Sequence, residues 1–225
     1  MSKQSVHYLI ASAIDCCELN RYNEAIGLLK KFADFCEPCI YKEKIIIRKI
    51  FLEKLENPLE TWKSFENYSK DSIVVKTLKP KVKKEIDASC DNLIHLLDNK
   101  FIKNAKTADD FVFYKCLKAI QYKYKLYVKS VKKKNCFKGK ARKLYEEALS
   151  IAKDSLKPSH PSRIWIGLEF CSFYVFVLNN VDKGLETAEK TYNEACSNLS
   201  ELDIDLHKYA LHGLSELREH IEEIS

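Results

Sequence analysis

The chain has 225 residues, of which 46% are hydrophobic and 31% charged, enough to bury one large core or two small ones. Five Gly and five Pro are too few for a turn-rich β protein, and the abundance of Lys, Glu, Leu, Ala and Ile predicts an all-α fold. The net charge of +6 is only a mild basic excess, so we expect no nucleic-acid partner.

Helical patterns follow one another along the chain with short connections. We predict nine helices, over residues 2–18, 21–35, 40–68, 78–103, 107–132, 136–154, 161–178, 182–200 and 203–223. Asn20 is expected to cap the second helix, Pro161 to lie in the first turn of the seventh, and the eighth to begin after Asn180. Short loops favour antiparallel neighbours, so residues 1–225 are predicted to form a single bundle of TPR-like helical hairpins.

Nine cysteines, an odd number, lie mostly within apolar helical patterns. They predict buried free thiols in a reducing, cytoplasmic setting. The first helix contains Asp15 and does not resemble a secretory signal, and no run of about 18 uncharged apolar residues predicts a membrane span. Cys36 and Cys39 have C-x-x-C spacing without a second metal-binding pair, so we expect no metal and no cofactor.

No arrangement typical of an enzyme occurs in the sequence. It has no glycine-rich phosphate loop, no H-E-x-x-H motif and no Ser/His/Asp set in a recognisable context. His160 precedes Pro161 at a helix start, where a structural capping contact is a better interpretation than a catalytic base. We therefore predict a protein without catalytic activity.

The seventh predicted helix carries the most informative motif. It opens with S-H-P-S-R at 159–163 and continues with L-E-F-C-S-F-Y at 168–174, which resembles the T-H-P-I-R and L-N-F-S-V-F-Y signature of the 14-3-3 proteins. Shorter stretches agree in the same order along the chain: R-Y-N-E at 21–24, Trp62, N-L-I-H-L-L at 92–97, V-F-Y at 112–114 and Y-K-Y at 122–124.

The resemblance extends over essentially the whole chain. It implies nine antiparallel helices and a concave groove that binds phosphoserine or phosphothreonine peptides of protein partners. Residues up to about 103 would form the homodimer interface and the groove floor, and residues from about 104 to 225 the groove wall.

In the family, two arginines, a lysine and a tyrosine hold the phosphate. Counting back from Trp62 without a gap places the third-helix arginine on Leu59 and the lysine on Leu52. The second arginine falls on Lys123, and Tyr124 retains the tyrosine. Because a phosphate dianion is held best by fixed, bidentate cations, we predict that phosphopeptide recognition is weakened or lost.

Other groove positions also depart from the family. Ile120 and Phe176 stand where acidic residues brace the basic cluster, and removing the whole cluster avoids leaving unpaired buried ions, which would cost roughly 3–5 kcal/mol. The remaining departures are Cys116 in the fifth helix and Glu216 and His220 in the ninth, and the latter two make that wall polar and titratable.

Glu169 stands where the family has an asparagine that holds the ligand backbone. A carboxylate there either repels phosphate directly or pairs with Lys123 and neutralises the groove, and both alternatives weaken phosphate binding. A shifted register of the third helix would leave Arg48, Lys49 or Lys63 as alternative phosphate-binding cations.

The residues that join two 14-3-3 subunits have chemically suitable counterparts. Arg21 and Glu24 begin the second helix, and Lys81 and Glu85 lie in the fourth, so two salt bridges across a homodimer are predicted. Pro80 is expected to start or kink the fourth helix and to alter the dimer geometry.

Two classes of function follow from the sequence. The first is a dimeric 14-3-3-like adaptor with impaired phosphopeptide recognition. The second is a TPR-like helical scaffold that binds proteins or RNA through the basic segment 129–143.

Overall fold

The computed structural model describes residues 3–35 and 38–225, with the side chains of residues 3–6, 131 and 132 left aside. This part of the chain is all-α, as predicted, and contains no strand. Its main helices are α1 (Lys3–Glu18), α2 (Tyr22–Phe32), α3 (Tyr41–Ser64), α4 (Ile73–Leu96), α5 (Ala108–Val128), α6 (Val131–Ser155), α7 (Pro161–Phe176), α8 (Val181–Ser197) and α9 (Ile204–Ile224). A π-helical turn (Leu97–Phe101) and a short helical turn (Ile102–Asn104) extend α4.

Pro80 does not start the fourth helix. This helix begins at Ile73 and contains Pro80 within it, so the predicted start at residue 78 is wrong. Proline removes one helical N–H, which leaves the carbonyl of Lys76 without its usual donor. Both residues are exposed, and water can take the place of the missing donor there.

The predicted starts of α7 and α8 are confirmed. Pro161 occupies the first turn of α7, and His160 Nδ1 accepts a hydrogen bond from the Ser162 N–H at 3.2 Å, which is a capping contact. Asn180 is the N-cap of α8, and its side chain accepts from the Lys183 N–H at 3.0 Å. These caps satisfy N–H groups that have no partner within the helix.

Asn20 has a different role from the one predicted. It adopts φ of 58° and donates its N–H to the Cys17 carbonyl at 2.9 Å, so it ends α1. The N-cap of α2 is Arg21. Asparagine tolerates this left-handed conformation better than most residues, which makes it suited to end a helix.

The described cysteines are free thiols, and the C-x-x-C spacing involves Cys36, which lies outside the described residues. Four of them, Cys17, Cys90, Cys116 and Cys171, are buried. Burial raises the pKa of Cys90 to about 12 and that of Cys171 to about 11, so both thiols stay protonated near neutral pH. None of the helices in the described part of the chain has the length and hydropathy that a membrane span requires.

The chain divides into two compact units. The first consists of Met1–Ala105 and Tyr124–Lys134, and the second of Lys106–Lys123 and Asn135–Ser225. In the first unit, α1 packs on α2 and α3 on α4. Its core contains the fully buried aliphatic and aromatic side chains Leu29, Ile47, Ile50, Phe51, Leu55 and Ile86.

A buried lysine joins the end of α5 to α4 within the first unit. Lys125, with 3% of its side chain exposed, lies 2.8 Å from Asp87 and 2.6 Å from Asp91. Burial favours the neutral lysine, but the hydrogen bonds that its ammonium donates to both carboxylates outweigh burial, and the pKa of Lys125 is raised. Burial likewise opposes ionisation of Asp87, but hydrogen bonds from Lys125 and Lys129 leave the Asp87 pKa below its ordinary value.

In the second unit, α7 is almost wholly buried and contacts both α8 and α9. The tilted rings of Phe170 and Tyr174 have centroids 4.5 Å apart, and the ring centroid of Tyr145 of α6 lies 5.2 Å from that of Phe173. Helix α8 approaches α7 closely at Gly167, where an added Cβ would lie 2.9 Å from Thr191 Cβ and 2.5 Å from its hydroxyl oxygen. This close approach is available only to glycine.

We expect Gly167→Ala to lower the free energy of unfolding by roughly 1–3 kcal/mol, because the new methyl group forces α7 and α8 apart. Gly139→Ala in α6 is the matched control, since an added Cβ there meets nothing within 4 Å. The control should be neutral or gain up to about 1 kcal/mol from the higher helix propensity of alanine. Urea denaturation of both variants tests this, and equal stabilities would contradict the close packing.

We expect Lys125→Met to lose roughly 1.5–3 kcal/mol at pH 7, because Asp87 and Asp91 lose charged hydrogen bonds. The Asp87 pKa is lowered by folding, so its stabilising contribution is present above the ordinary value of 3.8 and is lost as the pH falls below it. The stability difference from wild type should therefore narrow on acidification. Chemical denaturation between pH 7 and pH 3 measures this difference, and Lys103→Met, at an exposed position, is the control. A stability difference that stayed constant over this pH range would contradict the expectation.

Candidate functional site

The centre of the candidate site is an ion pair between α5 and α7 within the second unit. Lys123 Nζ donates to Glu169 Oε2 at 2.8 Å. The side chains are only 16% and 14% exposed, so the two charges are largely removed from solvent. Of the two alternatives for Glu169, pairing with Lys123 is the one confirmed. The positive charge of Lys123 is thereby balanced by this carboxylate.

One face of α7 extends the site beyond this pair. Glu169, Ser172 and Phe176 are spaced i, i+3 and i+7, which places them on the same side of the helix. Ser172 Oγ and His220 Nε2 share a hydrogen bond of 3.1 Å, and the Phe176 and His220 rings are 5.9 Å apart. These contacts fix α9 beside α7.

The facing side of α9 carries polar side chains. His212, Glu216 and His220 are spaced four residues apart, and His212 Nε2 lies 3.7 Å from Glu216 Oε1. His220 Nδ1 is 3.8 Å from Glu223 Oε2. We call Lys123, Glu169, Ser172, Phe176, Glu216 and His220 the polar face. With neutral histidines its formal charge is −1, which offers no excess positive charge to an anion.

The apolar replacements predicted for the groove wall differ in exposure. Cys116 and Ile120 in α5 are fully buried, so they pack in the protein interior rather than present a surface to a ligand. Phe176 is 65% exposed. Phe176 is therefore an aromatic side chain at the protein surface.

The predicted site residues of α3 belong to the first unit. Leu59 is buried and Leu52 is half-buried, and neither side chain carries a charge. Among the alternative cations, Lys63 is exposed, Arg48 is half-buried, and Lys49 lies 3.8 Å from Glu53 one turn away. Tyr124, half-buried, also belongs to the first unit, although Lys123 beside it belongs to the second.

The structure thus brings together Lys123 with Glu169 and Phe176 with His220. The sequence interpretation did not include Ser172, which joins α7 to α9 through His220. The sequence could have indicated Ser172 through its position three residues after Glu169, because residues with this spacing lie on the same face of a helix.

The predicted dimer residues are exposed in the single chain. The Arg21 guanidinium, just before the start of α2, donates two hydrogen bonds to the Glu24 carboxylate, at 2.6 and 3.1 Å. Lys81 and Glu85 are one turn apart on α4, and neither forms an ion pair among the described residues. Nor does any group of three or more His, Cys, Asp or Glu side chains suited to a metal ion occur in the described part of the chain.

Comparison with known proteins gives one consistent result. A family model described as 14-3-3 protein matches residues 13–223. The chain is 26% identical to 14-3-3-like protein 2 of Caenorhabditis elegans over 211 residues, which cover 91% of this chain and 85% of the relative. It is 26% identical to 14-3-3-like protein 1 of the same organism over 224 residues (96% and 90%), and 24% identical to human 14-3-3 protein eta over 218 residues (91% and 87%). The all-α architecture, the collinear motifs and these matches show that the chain belongs to the 14-3-3 family.

Proposed function

We propose that this protein is a 14-3-3 adaptor that binds protein partners and whose recognition of phosphoserine or phosphothreonine peptides is weakened or lost. Family membership supports the adaptor role. The observation that carries the finer proposal is the Lys123–Glu169 ion pair at 2.8 Å. The lysine that corresponds to a phosphate ligand of the family already holds a carboxylate.

A phosphate group must compete with that carboxylate. It carries a charge of about −1.5 to −2 at neutral pH, so placing it beside Glu169 creates a repulsion between like charges. Displacing Glu169 instead leaves a poorly hydrated carboxylate without its cation, and separating a buried ion pair typically costs roughly 3–5 kcal/mol. With both side chains partly exposed, the lower end of that range applies here. Either route reduces the free energy that phosphate binding supplies.

The polar face is better suited to ligands without phosphate. Exposed Phe176 offers an apolar contact, and the Glu216 carboxylate lies on the facing side of α9. We infer that partners dock through unphosphorylated segments with apolar and neutral or basic side chains. In this proposal the protein has no catalytic role and acts in the cytoplasm as a homodimer.

We expect a labelled phosphoserine peptide of the ordinary 14-3-3 motif type to bind with a dissociation constant well above about 10 µM, no tighter than its unphosphorylated twin. Glu169→Asn should restore a preference for phosphate of roughly tenfold, because it releases Lys123 and supplies a neutral amide. Lys123→Ala in the Glu169→Asn background should abolish that preference.

The matched control for Glu169→Asn is Glu189→Gln on α8, which also removes one negative charge but at an exposed position. It should leave peptide binding unchanged. Fluorescence anisotropy with both peptides gives all of these affinities. Micromolar or tighter, phosphate-dependent binding by the wild-type protein would refute the proposal.

We expect charge reversal at the predicted dimer contacts to weaken association. Lys81→Glu with Glu85→Lys should raise the dimer dissociation constant roughly five- to tenfold, because each ion pair across the interface becomes a repulsion. Adding Arg21→Glu with Glu24→Arg should restore the wild-type value.

The control exchanges Arg142 and Glu146, an exposed ion pair of α6 with a separation of 2.8 Å. It should leave association unchanged. Sedimentation velocity over a concentration series measures the constants. A wild-type protein that stays monomeric, or reversals without effect, would contradict the proposed interface.

A further inference from the structure

A cavity in the second unit lies away from the polar face. It has a volume of about 200 Å³, is lined by α6, α7 and α8, and is partly open to solvent. The α7 residues that line it are Arg163, Phe170 and Tyr174. Because successive residues turn by about 100° around a helix, these three point away from Glu169 and Phe176. This α6–α8 cavity is therefore a separate feature of the molecule.

Basic side chains dominate the lining of the cavity. Four basic and two acidic residues face it, which gives a formal charge of +2: Lys153, Arg163, Lys183, Lys190, Glu186 and Glu194. Arg163 already has protein partners, because it donates hydrogen bonds to the Leu156 carbonyl at 3.0 Å and to the Glu194 carboxylate at 2.8 Å. Lys190 lies 4.0 Å from the same Glu194.

Two lysines remain for a ligand. Among the described residues, no carboxylate pairs with Lys153 of α6 or Lys183 of α8. The Lys183 ammonium lies 5.2 Å from the centroid of the Tyr174 ring, which keeps this exposed side chain beside the cavity. Two ammonium groups from different helices, facing one cavity, favour an anion that both can contact.

The remaining lining determines what kind of anion fits. Phe170 and Tyr174 supply an apolar floor. Thr187 and Thr191 already donate their hydroxyl protons to helix carbonyls at 2.7 and 2.8 Å, so their oxygens are left to accept hydrogen bonds from a ligand hydroxyl. A volume near 200 Å³ is below the roughly 300–1,000 Å³ of pockets for drug-sized ligands, so a peptide segment does not fit.

We propose that the α6–α8 cavity binds a small phosphate monoester that carries hydroxyl groups, of the size of a hexose phosphate. The phosphate lies between Lys153 and Lys183, the hydroxyl groups donate to Thr187 and Thr191, and the carbon skeleton rests on Tyr174. Nothing in this arrangement involves Lys123 or Glu169, so the proposal does not depend on how the polar face binds its partners.

Glucose 6-phosphate, inorganic phosphate and glucose are the probes, and isothermal titration calorimetry on the full chain is the measurement. We expect saturable binding of glucose 6-phosphate, weaker binding of inorganic phosphate and none of glucose. The double variant Lys153→Gln/Lys183→Gln should weaken glucose 6-phosphate binding at least about tenfold, because two charged contacts are lost. Both lysines are exposed, so the variant should fold like the wild type.

Lys208→Gln is the matched control, since Lys208 is an exposed lysine 4.8 Å from the ring of Tyr209 on α9. It should bind glucose 6-phosphate like the wild type. Thr187→Val should weaken glucose 6-phosphate binding but not phosphate binding.

Absence of saturable glucose 6-phosphate binding by the folded wild-type protein would overturn the proposal. Full affinity in the double lysine variant would overturn it as well. Loss of binding in Lys123→Gln would show that the ligand occupies the polar face instead.

Discussion

The close packing around α7 is the constraint on which the second unit depends. This helix is apolar on nearly every side, so it is stable only where other helices cover it. Gly167 lets α8 approach it closely, and the aromatic rings of α6 and α7 fill the space between those helices. A helix held on several sides presents its few polar side chains in fixed directions. Glu169 and Ser172 therefore have defined partners, Lys123 and His220.

Helix α5 shows how one element serves two different electrostatic roles. Lys123 pairs with Glu169 in the second unit, and Lys125, two residues later, pairs with Asp87 and Asp91 in the first. Each lysine is partly or fully removed from solvent and is balanced by carboxylates. Charge in these interiors is neutralised locally, which avoids the cost of an unpaired buried ion and leaves no excess positive charge on the polar face.

Much of the fold could be predicted from sequence, because helix periodicity and caps are local. The starts of α7 and α8 follow from Pro161 and Asn180, whose effects act within one helical turn. Local rules were insufficient at Pro80 and Asn20. The fourth helix continues through Pro80 because its exposed backbone can be hydrated. Asn20 adopts a left-handed backbone conformation, so it ends α1 instead of capping the start of α2.

The sequence by itself determined the family and the all-α class, since these depend only on residue identity and order. Tertiary structure alone decided between the two alternatives for Glu169, and it revealed the contact of Ser172 with His220. It also decided that Ile120 is buried while Phe176 is exposed, although both side chains are apolar. Pairing and burial depend on which helices meet, and residues 46 or 48 positions apart acquire neighbours only when the chain has folded.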